Sequence, residues 1–164
     1  MSEQRGVFVT INLASSNPER LRGCIGFPLP VKSLGQAIQE AAIAASSEDP
    51  RFAPVRPEEL GSIVLEVSVL TEPTDLEVVK RVDAARQVRI GKDGLIISTR
   101  YASGLLLPQV ATQYGLSPEE FLSQCCMKAG LTPDAWLDPE TKIQVFQAEV
   151  FAEASPRGRV ERIE

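Results

Sequence analysis

The residues best suited to chemistry lie together in Leu21-Arg22-Gly23-Cys24-Ile25-Gly26, which combines a guanidinium, a thiol and two glycines. The apolar runs on either side predict a β-strand, along which successive side chains alternate between two faces. The face expected to meet the core carries Leu21, Gly23 and Ile25. The face expected to carry the chemistry has Arg22, Cys24 and Gly26.

Cys24 is the candidate nucleophile of this strand. The thiolate is the reactive form of cysteine, and a neighbouring cation favours it. Arg22 lies two residues away, about 7 Å along the same strand face, and is therefore the expected cation. Gly26 is expected to leave open space beside Cys24. Gly23 and Gly26 would also let a substrate approach the backbone closely.

A second predicted strand, Ile63 to Leu70, contributes a carboxylate and a hydroxyl. Glu66 stands in the middle of this strongly apolar run, so it is either solvated or buried with a partner. It is expected to orient Arg22 or to act as the proton acceptor of the site. Ser68 shares the face of Glu66 and is included among the candidate substrate contacts.

The loop Asp49-Pro50-Arg51-Phe52 brings two opposite charges and an aromatic ring together after a predicted helix. Asp49 and Arg51 are candidate substrate-binding residues that would line a pocket. The alternative is a turn at the end of the helix that is held by a local ion pair. Both interpretations remain open from the sequence.

Composition excludes several classes of site. The chain has 164 residues, of which 43% are hydrophobic, and these values fit one globular domain. Its net charge of −5 argues against general nucleic-acid binding, which favours a basic protein. It has no histidine, so a Ser-His-Asp triad, a Cys-His dyad and a histidine metal site are excluded within it. The three cysteines fit no zinc spacing, and no metal site is expected. With no membrane-spanning stretch or signal peptide in the pattern, a cytoplasmic protein is expected.

The remaining pattern predicts a mixture of helices and strands. Ser33 with Gln36, and Ser117 with Glu120, form capping-box patterns at the starts of two helices. Cys125 and Cys126 point about 100° apart on the second helix, so at most one is expected in the deepest core. Asp93-Gly94 predicts a hairpin turn between two strands. The predicted strands are Val7 to Leu13, the Leu21 to Gly26 stretch, Ile63 to Leu70, Gln87 to Ile90, Leu95 to Ser98 and Lys142 to Glu153. Turn chemistry is expected over residues 14–20, and an exposed tail over residues 155–164.

The chain resembles the AMMECR family from Gly6 to about Gly158. The Leu21 to Gly26 stretch carries the family signature, and further segments match in order along the chain. These segments are Asp49-Pro50-Arg51-Phe52, Glu66-Val67-Ser68-Val69-Leu70, Asp93-Gly94-Leu95-Ile96, Gly104-Leu105-Leu106-Leu107-Pro108-Gln109-Val110, Lys128-Ala129-Gly130-Leu131 and Trp136-Leu137.

The resemblance implies a fold and a set of partners, and it leaves the cofactor open. The implied fold is α+β, with a mainly antiparallel sheet flanked by helices, and with a larger and a smaller lobe separated by a cleft. One AMMECR-like domain is expected over residues 1–164. The helical N-terminal segment of the family is not recognised in this sequence. Two explanations are open: this start has been lost or trimmed, or the surface that it normally covers is open, in which case an apolar patch is expected to favour a homo-oligomer. Relatives are often associated with Memo-type proteins and radical S-adenosylmethionine proteins, which are therefore the expected partners.

Three interpretations of the site follow from the residues. In the first, the chain is a small-ligand enzyme or an enzyme subunit, with Cys24 as thiolate and Arg22 and Glu66 in support. In the second, it is a non-catalytic binding module or adaptor whose Arg22, Arg51 and Glu66 recognise a small anionic ligand or a peptide. In the third, Arg22 and Glu66 form a buried structural ion pair, and the glycines serve sheet packing.

Overall fold

The computed structural model describes residues 3–15 and 20–163 and has an α+β fold with two antiparallel sheets. The strands are β1 (Val7–Leu13), β2 (Arg20–Phe27), β3 (Ile63–Leu70), β4 (Thr74–Asp75), β5 (Gly94–Ser98), β6 (Ser103–Leu106), β7 (Lys142–Phe146), β8 (Ala148–Glu153) and β9 (Val160–Arg162). The helices are α1 (Leu34–Ser47), α2 (Ala84–Gln87), α3 (Pro108–Gln113) and α4 (Pro118–Lys128). Three short 3₁₀ turns are Pro57–Glu59, Arg81–Asp83 and Ala135–Leu137. None of the described helices is long and apolar enough to span a membrane.

The chain divides into two compact units, residues 1–71 with 149–164 and residues 72–148. The expectation of a single AMMECR-like domain over residues 1–164 stays a prediction, as does the expected cleft. The turn expected over residues 14–20 falls largely on residues 16–19, which lie outside the described residues.

The first unit contains a five-stranded sheet in the order β2-β1-β3-β8-β9, with α1 on one face. Alternation in β1 sends Val7, Val9 and Ile11 to that face, where they pack with the alanine-rich side of α1. Small side chains on α1 allow this close approach of helix and sheet. The predicted strands Val7 to Leu13 and Ile63 to Leu70 are therefore confirmed at their predicted bounds.

The second unit contains a four-stranded sheet in the order β4-β7-β5-β6 and a core of its own. Helix α4 begins as the sequence predicts: Ser117 Oγ accepts the N–H of Glu120, and the Glu120 carboxylate accepts the N–H of Ser117. The prediction that at most one of Cys125 and Cys126 reaches the deepest core is wrong. Both are fully buried, because α4 is covered on more than one side by the core of this unit.

Four local predictions differ from the structure. Ser33 precedes α1 but makes no side-chain cap, and the side-chain amide of Gln36 donates to Glu40. Residues 88–93 form no strand, and β5 pairs with β6 and β7. The predicted strand Lys142 to Glu153 is two strands, β7 and β8, which belong to different sheets. The expected tail is largely exposed over residues 155–163, but it includes β9 at the edge of the first sheet.

Candidate functional site

A row of three side chains crosses the first sheet at Thr10. Thr10 lies opposite Cys24 in β2 and opposite Glu66 in β3, and residues directly opposite one another project from the same face. The face opposite to α1 therefore carries both Cys24 and Glu66, as strand alternation predicted. Thr10 Oγ1 lies 3.3 Å from Cys24 Sγ. Because neighbouring strands are about 4.8 Å apart, the backbones at Cys24 and Glu66 are about 10 Å apart, with Thr10 between them.

Arg22 belongs to a β-bulge, and this sets its partner. The pairing of β1 with β2 shifts between Ile11 and Asn12, so that Leu21 and Arg22 together oppose Asn12. Leu21 consequently lies 37% exposed and not on the core face where simple alternation placed it.

The carboxylate that binds Arg22 is Glu59, where the sequence suggested Glu66. Arg22 Nε donates to Glu59 Oε1 at 2.9 Å, and Arg22 Nη2 donates to Glu59 Oε2 at 3.1 Å. Glu59 Oε2 also accepts the N–H of Arg56 at 2.7 Å. The hydrogen bonds from Arg22 and the N–H of Arg56 hold the pKa of the Glu59 carboxyl below its usual range. The proposed structural Arg22–Glu66 pair is thus replaced by a pair between the bulge and the 3₁₀ turn.

Both glycines of the signature are explained by close packing. A Cβ on Gly23 would lie 2.2 Å from the backbone oxygen of Ala45, so Gly23 permits α1 to approach β2 on the core face. A Cβ on Gly26 would lie 2.4 Å from a ring carbon of Phe8. The prediction of open space at Gly26 is therefore wrong, because the Phe8 ring occupies it. Substrate binding by Gly23 and Gly26 stays a prediction, although neither position offers unoccupied space.

Asp49 and Arg51 form a clamp on the backbone of Cys24 at the outer edge of β2. Asp49 is 4% exposed, and its Oδ2 accepts the N–H of Cys24 at 2.9 Å. Arg51 Nη2 reaches the carbonyl oxygen of Cys24 at 3.5 Å. The two side chains replace the neighbouring strand that an edge strand lacks.

The clamp is held together by its own ion pair. Arg51 Nε donates to Asp49 Oδ1 at 3.0 Å, Arg51 Nη2 donates to Asp49 Oδ2 at 2.7 Å, and the N–H of Arg51 donates to Asp49 Oδ1 at 3.0 Å. Hydrogen bonds from the Arg51 guanidinium hold the pKa of the Asp49 carboxyl well below its usual range. The hydrogen bond to Asp49 raises the pKa of the Arg51 guanidinium. The ion-pair alternative for this loop is therefore confirmed, and the arginine that contacts the backbone of Cys24 is Arg51.

The other candidate contact, Ser68, is placed on the Cys24 face but has little exposed surface. It lies opposite Phe8 and is 1% exposed. Cys24 itself is half-buried, whereas Cys125 and Cys126 are fully buried. Within residues 3–15 and 20–163, no cluster of three or more cysteine, aspartate or glutamate side chains is arranged to hold a metal ion.

Two residues of the site were missed from the sequence. Thr10 could have been found from the sequence, because it lies between apolar residues of β1 and so projects from the opposite face. Antiparallel pairing of β1 with β2 then places it opposite Cys24. Glu59 gives no such signal. It lies 37 residues after Arg22 on a short turn, and neither spacing nor periodicity connects the two.

We expect Asp49→Asn to lower the free energy of unfolding at pH 7 by about 2 kcal/mol, because a charged acceptor of four N–H groups becomes a neutral one. The folded-state pKa of Asp49 lies below the unfolded value of about 3.9, so its contribution is complete above that pH. It declines as the pH falls further. Urea denaturation at pH 7 and pH 3 should therefore give a smaller difference between parent and variant at pH 3. An equal difference at both values would contradict the assigned role of the Asp49 charge.

Comparisons with known proteins agree with this fold. The AMMECR1 family model matches residues 1–151. A protein from Thermococcus gammatolerans is 54% identical over 161 residues, covering 98% of this chain and 78% of the relative. A protein from Methanothermobacter thermautotrophicus is 55% identical over 151 residues, covering 92% of this chain and 77% of the relative.

A solved structure is similar along nearly the whole chain. The crystal structure of an uncharacterised protein from Pyrococcus horikoshii has a TM-score of 0.90 and 49% identity, covering 98% of this chain and 79% of that one. The family match, the sequence relatives and the fold all agree, and the chain belongs to the AMMECR1 family.

Proposed function

We propose that this protein is a thiol-dependent enzyme, or the subunit that completes one, acting on a small ligand at Cys24. The observation that carries the proposal is the fixed position of this half-buried thiol. Both backbone polar groups of Cys24 are held by the Asp49–Arg51 clamp, and its Sγ lies 3.3 Å from Thr10 Oγ1. A nucleophile held in one geometry loses little freedom when it reacts.

The residues of the cross-strand row have distinct roles in this proposal. The Cys24 thiolate adds to a carbonyl carbon of the ligand, and the electron pair of the C=O π bond moves to the carbonyl oxygen. The positive charge of Arg51, whose Nη2 lies 3.5 Å from the backbone oxygen of Cys24, favours both the thiolate and the oxyanion. The Glu66 carboxylate accepts the thiol proton, passed through the Thr10 hydroxyl or a water molecule because the two strands are not adjacent. Arg22 is paired with Glu59 and holds the 3₁₀ turn beside β2, so in this proposal it is not the cation that stabilises the thiolate. A small anionic ligand suits the partly exposed guanidinium of Arg51.

The partner proteins in this proposal follow from the family resemblance alone. Memo-type proteins and radical S-adenosylmethionine proteins would supply or consume the small ligand, and the chain would act beside them in the cytoplasm. A homo-oligomer belongs to the same proposal.

The second candidate function is a non-catalytic binding module. It is favoured by the charge balance of the site, since Arg22 is engaged by Glu59 and Arg51 by Asp49. An open groove of about 780 Å³ beside Arg22, lined also by Pro54, Pro57 and Glu59, would receive an extended peptide. In this case Cys24 packs and does not react.

Replacing Arg51 tests the proposed support of the thiolate. We expect Arg51→Gln to slow the alkylation of Cys24 by iodoacetamide at pH 7.5 by about fivefold, the effect of a unit charge worth about 1 kcal/mol. Arg51→Lys should recover part of the rate. Arg22→Gln is the matched control, because Arg22 is also paired with a carboxylate, Glu59, but has no hydrogen bond to the Cys24 backbone of the kind that Arg51 makes. It should change the rate by less than about twofold.

The outcomes separate the two functions. Slowing by Arg51→Gln but not by Arg22→Gln supports the thiol-dependent enzyme. If neither variant changes the rate, and Cys24 reacts no faster than a cysteine in a short unstructured peptide, the binding module is the better account. Circular dichroism of each variant before labelling shows whether the fold is retained.

A further inference from the structure

A small cavity lies on the other face of the first sheet, between α1, the segment after it and the turn that precedes β9. It has a volume of about 200 Å³, and its floor is apolar, formed by Ile11, Ile63 and Leu65. Further lining comes from Ala42, Val55 and Leu60, and from Ser46, whose hydroxyl donates to the carbonyl oxygen of Ile43. Because Ile11 lies opposite Gly23 on the α1 face, this cavity is separated from Cys24 by the sheet. It is therefore distinct from the site described above.

The mouth of this cavity carries an arginine in an unfavourable backbone conformation. The N–H of Gly158 donates to the carbonyl oxygen of Ser155 at 2.8 Å, which closes a four-residue turn with Pro156 second and Arg157 third. Arg157 has a φ of 58°, and proline cannot adopt a positive φ, so the turn is of type II. The third position of that turn favours glycine. A non-glycine residue held there at an energetic cost is a recognised mark of a functional position.

The two charges at the cavity are opposite and have unused hydrogen-bonding capacity. Arg157 makes no hydrogen bond or ion pair to any described residue, although its side chain lines the cavity. Glu153 also lines it, and Glu153 Oε2 accepts the N–H of Leu65 at 2.9 Å. That bond fixes the carboxylate at the rim, while Oε1 has no partner among the residues that the structure describes.

We propose that this cavity binds a free α-amino acid with an apolar side chain. The carboxylate of the ligand would pair with Arg157, its ammonium group with Glu153, and its side chain would enter the apolar floor. A simple carboxylate would pair with Arg157 but would be repelled by the Glu153 carboxylate. A simple ammonium would pair with Glu153 but would be repelled by the Arg157 guanidinium. A zwitterion satisfies both charges, and the volume limits its side chain to about the size of leucine.

Isothermal titration calorimetry with three probes tests the charge requirement. L-leucine, 4-methylpentanoate and 3-methylbutylamine share the same branched carbon chain, and the second and third each lack one of the two charged groups of leucine. We expect leucine to bind at least about tenfold more tightly than either single-charge analogue, as expected for the loss of one charge-assisted contact. Equal affinity of the three probes, or no heat from 10 mM leucine (a concentration of about this order would reveal a millimolar Kd), would overturn the proposal.

Two conservative variants assign the residues. Arg157→Gly suits the positive φ, so its urea midpoint should equal or exceed that of the parent while leucine affinity falls about tenfold. Glu153→Gln keeps an acceptor for the N–H of Leu65 and removes the negative charge. In this variant leucine should bind more weakly than in the parent, and 4-methylpentanoate should bind more tightly than in the parent. Unchanged leucine binding by a folded Arg157→Gly variant would exclude this cavity. Neither result bears on Cys24, because the alkylation experiment reports on the other face.

Discussion

Replacing Gly23 by alanine should lower the free energy of unfolding by about 3 kcal/mol, the upper range for forcing an extra carbon into a packed interior. The new Cβ would lie 2.2 Å from the backbone oxygen of Ala45 and 3.2 Å from its carbonyl carbon. Backbone of α1 cannot move aside as the end of a flexible side chain can. Relief therefore requires that α1 shift away from β1 and β2, which would loosen the packing of Val9 and Ile11.

Gly35→Ala is the matched control for this prediction. Gly35 lies in the first turn of α1, and nothing approaches within 4 Å of the Cβ it would gain. The same chemical change there should stabilise the protein by up to about 1 kcal/mol, because alanine is the better helix residue. Urea denaturation of both variants beside the parent measures the contrast. A loss below about 1 kcal/mol for Gly23→Ala would mean that the helix is not packed as tightly on β2 as described.

Local sequence patterns were sufficient to predict several of the strands and helices, including the strands that carry the site. Strand β1 alternates between buried and partly buried side chains because one face is covered by α1, and β3 is a mainly apolar run of eight residues, so the bounds of both could be predicted. Helix α4 could be predicted from its capping box, which depends only on residues three apart. The same-face placement of Cys24 and Glu66 follows from these strands and their antiparallel pairing.

The prediction of a hairpin turn at Asp93-Gly94 was wrong, because the Asp93 side chain holds the loop before β5. Asp93 is 1% exposed, and its carboxylate accepts the N–H of Arg89 at 2.9 Å and the side-chain amide of Gln147 at 2.7 Å. It thereby fixes a loop before β5 and does not form a two-residue turn. Gln147 is 54 residues away, so no local rule could identify it.

The partners of the two arginines could not be assigned from strand alternation. A bulge turns Arg22 towards Glu59, and bulges have no reliable mark in a single sequence. The Asp49–Arg51 pair was considered as a local ion pair, but its contact with Cys24 depends on the tertiary packing of the loop against the outer edge of β2. Tertiary contacts of this kind decide the electrostatics of the site.

The three cysteines should differ greatly in reactivity. Burial raises the pKa of the Cys125 thiol to about 12, and burial also raises the pKa of the Cys126 thiol. Very little thiolate is then present on α4 at neutral pH, and both sulfurs are fully buried. Cys24 is half-buried at the edge of the sheet, and its backbone oxygen lies 3.5 Å from Arg51 Nη2. We expect Cys24 to be alkylated at least about 100-fold faster than either of the other two.

Site-resolved labelling of the folded protein with iodoacetamide at pH 7.5, followed by peptide mass spectrometry, measures these rates directly. A parallel sample in 8 M urea (about the strength that unfolds a small domain) is the control, and there the three rates should converge. A rate for Cys24 at least about 100-fold above those of Cys125 and Cys126 in the folded protein is the predicted result. If Cys24 is labelled as slowly as the two buried cysteines, the thiol is not available to a ligand, and the proposed enzymatic role of this site is contradicted.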